Sequence, residues 1–226
     1  EGGLSLDGRV GPPKLGLLNY IVTDFEPGKS RDVVFVPVAL NYDRVLEDRV
    51  LLAAANATER KFRFRWRDAV RYFFKHIYQR LTGRFLRYGY AAVSFGAPLS
   101  LASFTEDKEG DLTADIGREL MARIRAIVPV LPIPLVAACL LKAGRSVSRA
   151  ELVERVTAQV AKMAAAGAHV ELFNGDIATE VENAVNHLLM RQLVDEVADG
   201  VQVAGEHGLL QYYANSIAHL LDAPAA

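Results

Sequence analysis

The 226 residues contain a single cysteine, Cys139, so neither a disulfide framework nor a cysteine-based metal site can be built. Position 1 lacks the initiating methionine and holds glutamate instead, so the natural protein is expected to begin upstream of it. Long apolar runs are also missing. The longest, AIVPVLPIPLVAACLL over 126–141, is broken by Pro129, Pro132 and Pro134. It falls short of the ~20 residues that a spanning helix needs and reads as a buried turn and helix. Net charge is nearly absent at −1, and that total selects no partner. Its distribution does. Residues 151–226 set Arg155, Lys162 and Arg191 against eleven Asp and Glu, which leaves the first 150 residues at +7. A basic half of this kind is expected to face something anionic.

Hydrophobic periodicity divides the chain. KLGLLNYIV (14–22) opens an amphipathic helix, and DVVFVPVAL (32–40) is a short β-rich run expected to be a strand buried on both faces. Residues 66–81 have helical periodicity and stop near Gly83, and YGYAAVSFGAPLSL (88–101) is a second strand with a Gly-Ala-Pro exit. Strand, helix, strand at this spacing predicts an α/β layer. The polar, turn-rich TEDKEGD (105–111) then marks a boundary. Residues 1–105 form one domain on this reading and 106–226 a helical second one. In the latter, helices are expected over 113–128, 134–144 (stopped by Gly144), 148–167, 177–193 and 208–223. Ser148 with Glu151 three residues later is a capping-box pattern. Residues 194–205 read as a hairpin about Asp199-Gly200.

The first fourteen residues are the richest in chemistry. Gly2 and Gly3 allow backbone N–H groups to approach a ligand closely, and such groups in series form an anion-binding concavity. Ser5, Arg9 and Lys14 add donors and charge suited to a phosphate. Read without context, the same residues make a surface turn with scattered charges. The order E-G-G-x-S-x-x-G-R (Glu1, Gly2, Gly3, Ser5, Gly8, Arg9), then P-P-K-x-G, then Val36-Pro37-Val38 resembles the glycerol-phosphate acyltransferase family. The likeness continues through VSFGAPL (93–99), SRAELVERV (148–156) and YYANSIAHLL (212–221).

The resemblance implies residues 1–105 to be the C-terminal part of an acyltransferase α/β domain. It implies acyl transfer from a coenzyme A or acyl-carrier-protein thioester to the 1-hydroxyl of glycerol 3-phosphate, with no other cofactor and no metal. In that family a histidine, oriented by the aspartate of an H-x-x-x-x-D block, removes the hydroxyl proton. His76, His169, His187, His207 and His219 are followed five positions later by Leu81, Asn174, Gln192, Tyr212 and Pro224, so no catalytic residue of that kind is assigned here. Glu1, Gly2, Gly3 and Ser5 would line the glycerol-phosphate site, and Pro37 would shape the floor near the acyl chain. Leu4 and Leu6 stand where the family often carries cations, which would leave the phosphate to Arg9, Lys14 or arginines expected upstream of residue 1.

Residues 60–87 set ten Lys and Arg against the lone Asp68, with eight aromatics interleaved. Phe62, Arg63, Phe64, Arg65, Trp66, Arg67 and Arg71 suit the interface of an anionic membrane. Single-stranded nucleic acid, an acidic carrier protein, or a solvated helix with its aromatics in the core would use the same mixture. Helix, helix and hairpin over 148–205 suggest a winged-helix-like unit, but its acidity excludes a DNA-binding face. The expected function is therefore glycerol-3-phosphate acylation in phospholipid synthesis, at the cytoplasmic face of a bacterial inner membrane, with no nucleic-acid partner. A dihydroxyacetone-phosphate or other glycerolipid acyltransferase, and a non-catalytic membrane- or carrier-binding module, are the alternatives.

Overall fold

A computed structural model describes residues 5–56, 89–106, 108, 110–173, 175–205 and 207–221. The helix expected over 66–81 and the basic, aromatic stretch with Phe62, Arg63, Phe64, Arg65, Trp66, Arg67 and Arg71 lie outside them. So do Glu1, Gly2 and Gly3.

The first described helix, α1, runs Gly16–Thr23, close to its predicted place. The run expected to be one strand over 32–40 is instead two, β1 (Val34–Phe35) and β2 (Val38–Tyr42). Proline at 37 has no N–H to give a ladder, and the pairing resumes after it. β2 pairs antiparallel with β3 (Ala91–Phe95), Val38 facing Phe95 and Leu40 facing Val93. β1 pairs antiparallel with β4 (Leu99–Ser100). Gly96 N donates to Pro37 O at 2.8 Å and joins the two pairs. Burial on both faces is not what β2 shows. Ala39 and Asn41 point inward, while Val38, Leu40 and Tyr42 are exposed, with Val93 and Phe95 of β3 beside them. The alternation is that of a strand with one covered face.

Helix α2 spans Asp48–Asn56. The short helix α3 (Leu101–Thr105) follows β4 directly, with Ser100 as its cap. Then come α4 (Leu112–Ala126) and α5 (Pro132–Ala143). Proline at the first position starts α5, and Gly144 ends it with φ of 65°, as its place in the sequence predicts. The next helix, α6, spans Arg149–Ala165, and Ser148 Oγ accepts from Glu151 N at 3.1 Å. The Glu151 carboxylate turns to Arg145 and Arg155, so the box closes on one arm only. After α7 (Ile177–Met190) the hairpin β5 (Val194–Val197) and β6 (Gly200–Val203) pairs Val197 with Gly200. Its two-residue turn is therefore Ala198-Asp199, one position earlier than expected. Gly200 is required by a close approach: a Cβ there would sit 2.1 Å from Val147 O, because Val147 pairs with Val201.

The helix expected over 208–223 is two, α8 (His207–Asn215) and α9 (Ala218–Leu221). Ser216 Oγ donates to Tyr213 O, and the amide of Asn215 leaves for another segment. Such side chains compete with the helical ladder. α5 is buried from Pro132 to Leu140 and is the centre of the main core, packed by α6, α7 and α8. A second cluster joins α1, β1, β4, α3 and α4 through Leu18, Phe35, Leu99, Leu101, Phe104, Ile116 and Leu120. Helices mixed with small sheets are compatible with an α/β class. Among the described residues no helix is long and apolar enough to cross a membrane.

Candidate functional site

A cavity of about 730 Å³ opens where the first described loop, β2 and the end of α8 meet. Its walls include Ser5, Gly8 and Arg9 from the loop, residues 38–42 and 44–47 from β2 onward, and Tyr212, Tyr213 and Ser216 from the end of the chain. Ile124 and Val128 add apolar surface from the end of α4 and just beyond it. This volume suits a small ligand or part of a larger one.

The loop is shaped locally by Asp7. Its Oδ1 accepts from Arg9 N at 3.0 Å and from Ser5 Oγ at 3.2 Å, the side-chain-to-backbone turn that aspartate favours. Ser5 Oγ also lies 2.9 Å from Arg9 O. Arg9 is exposed and 3.9 Å from the Asp7 carboxylate, a separation at which a solvated ion pair holds little. Its guanidinium is thus the loop's cation at the cavity mouth. From α4, Arg125 Nη2 donates to Gly11 O at 3.1 Å and steadies the next turn. Gly8 has φ of 86°, and a Cβ on it would sit 1.9 Å from Tyr212 O. Loop and α8 are in backbone contact.

The facing wall begins at Asn41, a buried polar residue among apolar neighbours. Its Nδ2 donates to Pro129 O at 2.8 Å and reaches Ser216 Oγ at 3.3 Å. Two residues on, Asp43 is almost fully buried and accepts from Ile133 N at 3.0 Å, at the start of α5, and from Tyr90 N at 3.1 Å. Burial raises its carboxyl to about 6, those two N–H bonds oppose the rise, and Glu180 adds to it. A carboxyl shifted upward favours the folded state in its protonated form. Its stabilising contribution is complete below the unfolded value of 3.8 and is lost as pH rises through about 6.

A buried ionic cluster lies behind the wall, reaching it through Tyr213. Arg191 Nη2 meets Asp48 Oδ2 at 2.5 Å, with the two side chains 14% and 3% exposed. The Tyr213 hydroxyl donates to the same carboxylate, while accepting from Arg191 Nη1 at 2.7 Å and Val45 N at 3.2 Å. One donor and two acceptor positions are all that a hydroxyl has, so this one is fully committed. Burial raises the Tyr213 phenol, which the Asp48 charge reinforces and Arg191 opposes.

Of the residues picked from sequence, Ser5 and Arg9 come together on the cavity. Lys14 is exposed, and Pro37 is buried behind the wall, its ring beside Ile127 across Gly96. Neither belongs to the lining. Leu6 packs against the main core, so at that position a cation was not simply deleted from a ligand-facing surface. Asn41 and Tyr213, which line the cavity, were missed, as were Asp43, Asp48, Arg191 and Asn215, which brace it from behind. Only Asn41 and Asp43 left a signal, polar residues at the inward positions of an apolar strand. Among the described residues no His, Cys, Asp and Glu cluster is arranged to hold a metal ion. No described histidine lines the cavity. The arrangement offers hydroxyls, the arginines Arg9 and Arg44, the carboxylate of Glu47 and an apolar wall, which can bind and orient an anionic, partly apolar ligand.

Residues 79–226 match the family model described as the glycerol-3-phosphate acyltransferase C-terminal region. Glycerol-3-phosphate acyltransferase of Ectopseudomonas mendocina is 27% identical over 250 residues, covering all of this chain and 29% of its own length. The corresponding protein of Pseudomonas putida is 28% identical over 250 residues, again with all of this chain and 29% of its own length covered. That of Pseudomonas fluorescens is 27% identical over 250 residues. The chain thus spans under a third of the length of the curated relatives it matches.

Proposed function

Because the chain belongs to the glycerol-3-phosphate acyltransferase C-terminal-region family, we propose that it serves acyl transfer from a thioester to sn-glycerol 3-phosphate in phospholipid synthesis. The 1-hydroxyl oxygen forms a bond to the thioester carbonyl carbon, the carbon–sulfur bond breaks, and the thiol of coenzyme A or acyl carrier protein leaves with a proton. Lysophosphatidate is the product. We assign no general base to these 226 residues, since none of the five histidines has the H-x-x-x-x-D spacing.

One observation carries the reading. The cavity brings Ser5, Gly8 and Arg9 of the glycine-rich loop against the strand that follows Pro37, the two stretches whose order suggested the family. In this proposal Arg9 and loop N–H groups take the phosphate, with Glu1, Gly2 and Gly3 upstream of Ser5 completing the acceptor site. The apolar wall of Leu40, Leu46, Leu51 and Val128 takes the start of the acyl chain. Arg9→Ala is expected to raise KM for glycerol 3-phosphate by about tenfold, the scale of one charge-assisted hydrogen bond. An unchanged KM would remove Arg9 from the phosphate site.

The proposal extends to location and build. A lysophospholipid product leaves into a bilayer, and the cations of residues 60–87 favour a peripheral seat on an anionic, cytoplasmic membrane face. Each engaged cation contributes up to about 1 kcal/mol there. Reversing Arg63, Arg65, Arg67 and Arg71 to Glu is expected to release the protein from anionic vesicles, and salt-independent binding of the wild type would sink the electrostatic account. Residues 1–105 carry the acceptor loop on this reading. Residues 106–226, with a winged-helix-like unit in α6, α7 and the β5–β6 hairpin, pack against it and complete the cavity with Ile124, Val128, Tyr212, Tyr213 and Ser216.

A further inference from the structure

The end of α8 reads Tyr212-Tyr213-Ala214-Asn215, followed by Ser216, and four of these five residues hold different parts of the cavity. Tyr212 O is the surface on which Gly8 rests. The Tyr213 hydroxyl fixes Val45 N and Asp48. Ser216 Oγ meets the Asn41 amide. Asn215 reaches furthest: its Nδ2 donates to Asp7 O at 2.7 Å, across 208 positions of sequence.

Asn215 is buried, and both ends of its amide are assigned, since Oδ1 accepts from Gln211 Nε2 at 2.8 Å. It does not line the cavity, and neither does Asp7. Yet Asp7 is the residue whose carboxylate collects Ser5 Oγ and Arg9 N, and both of those residues do line it. A continuous set of hydrogen bonds therefore runs from the last helical turns of the chain to the two loop residues that face the ligand.

We propose that Asn215 is a positioning residue of the acceptor site, holding the Ser5–Arg9 loop in register through the Asp7 carbonyl. The proposal rests on the acceptor reading given above and adds a part of the chain that reading does not use. A side chain acting this way sets affinity for the acceptor and leaves the acyl donor, held by the apolar wall, unaffected. A purely structural residue would disturb both.

Asn215→Asp separates these cases in the protein as its gene encodes it. Aspartate keeps the acceptor for Gln211 and turns an oxygen toward Asp7 O where a donor stood. KM for glycerol 3-phosphate is expected to rise at least about tenfold, with KM for the acyl thioester within about twofold. Asn215→Ala, which removes the donor without adding charge, is expected to raise the same KM by about threefold, and it decides the matter by the same split if the aspartate variant does not fold. Equal effects on both substrates, or none on either, overturn the assignment. Wild-type activity that fails to saturate with glycerol 3-phosphate would defeat the acceptor reading itself. Wild-type saturation with unchanged variants would defeat the role of Asn215 alone.

Discussion

Gly8→Ala is expected to cut acyl transfer by on the order of 10²-fold while the helical core stays folded. Two independent features set the size. Gly8 has φ of 86°, where a side chain costs about 1–2 kcal/mol. Its Cβ would also lie 1.9 Å from Tyr212 O and 2.9 Å from Tyr212 C. The obstacle is helix backbone, and it cannot step aside, because Tyr212 and its neighbours are buried in the main core. The loop must lift instead. Ordinary contact would need a displacement of more than about 1 Å, and misplacing a positioning group by that much can cost 10²-fold. The measurement is turnover at saturating thioester across a range of glycerol 3-phosphate, with circular dichroism as the check on folding. A loss below about threefold would mean that the loop does not position the acceptor.

Arg191→Met is expected to lower unfolding free energy by about 3–5 kcal/mol, the usual cost of stranding one partner of a buried ion pair. The Asp48 side chain is 3% exposed, and after the change its carboxylate loses the guanidinium and keeps the Tyr213 hydroxyl and Arg49 N as donors. Methionine fills the space without supplying charge. Urea unfolding reads the effect, with the slope expected to stay near that of the wild type. The double variant with Asp48→Asn should recover part of the loss, since no buried charge then remains unpaired. A cost under about 1 kcal/mol would show that water reaches the pair and that the wall from Val45 to Asp48 is held by something else.

These two predictions concern what was least legible in the sequence. The helices between 112 and 190 were readable because their signals are local. Ser148 stands at a cap and Gly144 takes a left-handed φ, whereas α5 opens at Pro132, two residues before its expected start at Pro134. The interruption of 32–40 was underread because periodicity treats Pro37 as one apolar residue among others, whereas its missing N–H divides the ladder. The break after Asn215 was invisible for a different reason. Asn215 and Ser216 leave the helix for partners at Asp7 and Asn41, and no window along the chain contains both ends of those bonds. The ionic cluster of Asp48, Arg191 and Tyr213 has the same character. Each residue is ordinary in its own stretch, and burial creates their mutual dependence. The loop was singled out from its residue types, and Ser5 and Arg9 of it line the cavity. What holds the loop there was not.

The cavity as the seat of glycerol 3-phosphate is the central claim, and backbone amide exchange in the protein as encoded, with and without saturating glycerol 3-phosphate, tests it most directly. Slowed exchange is expected over residues 5–11, 41–45 and 212–216, with the β5–β6 hairpin unchanged. Protection that leaves 5–11 untouched, or that falls on the hairpin, would contradict it.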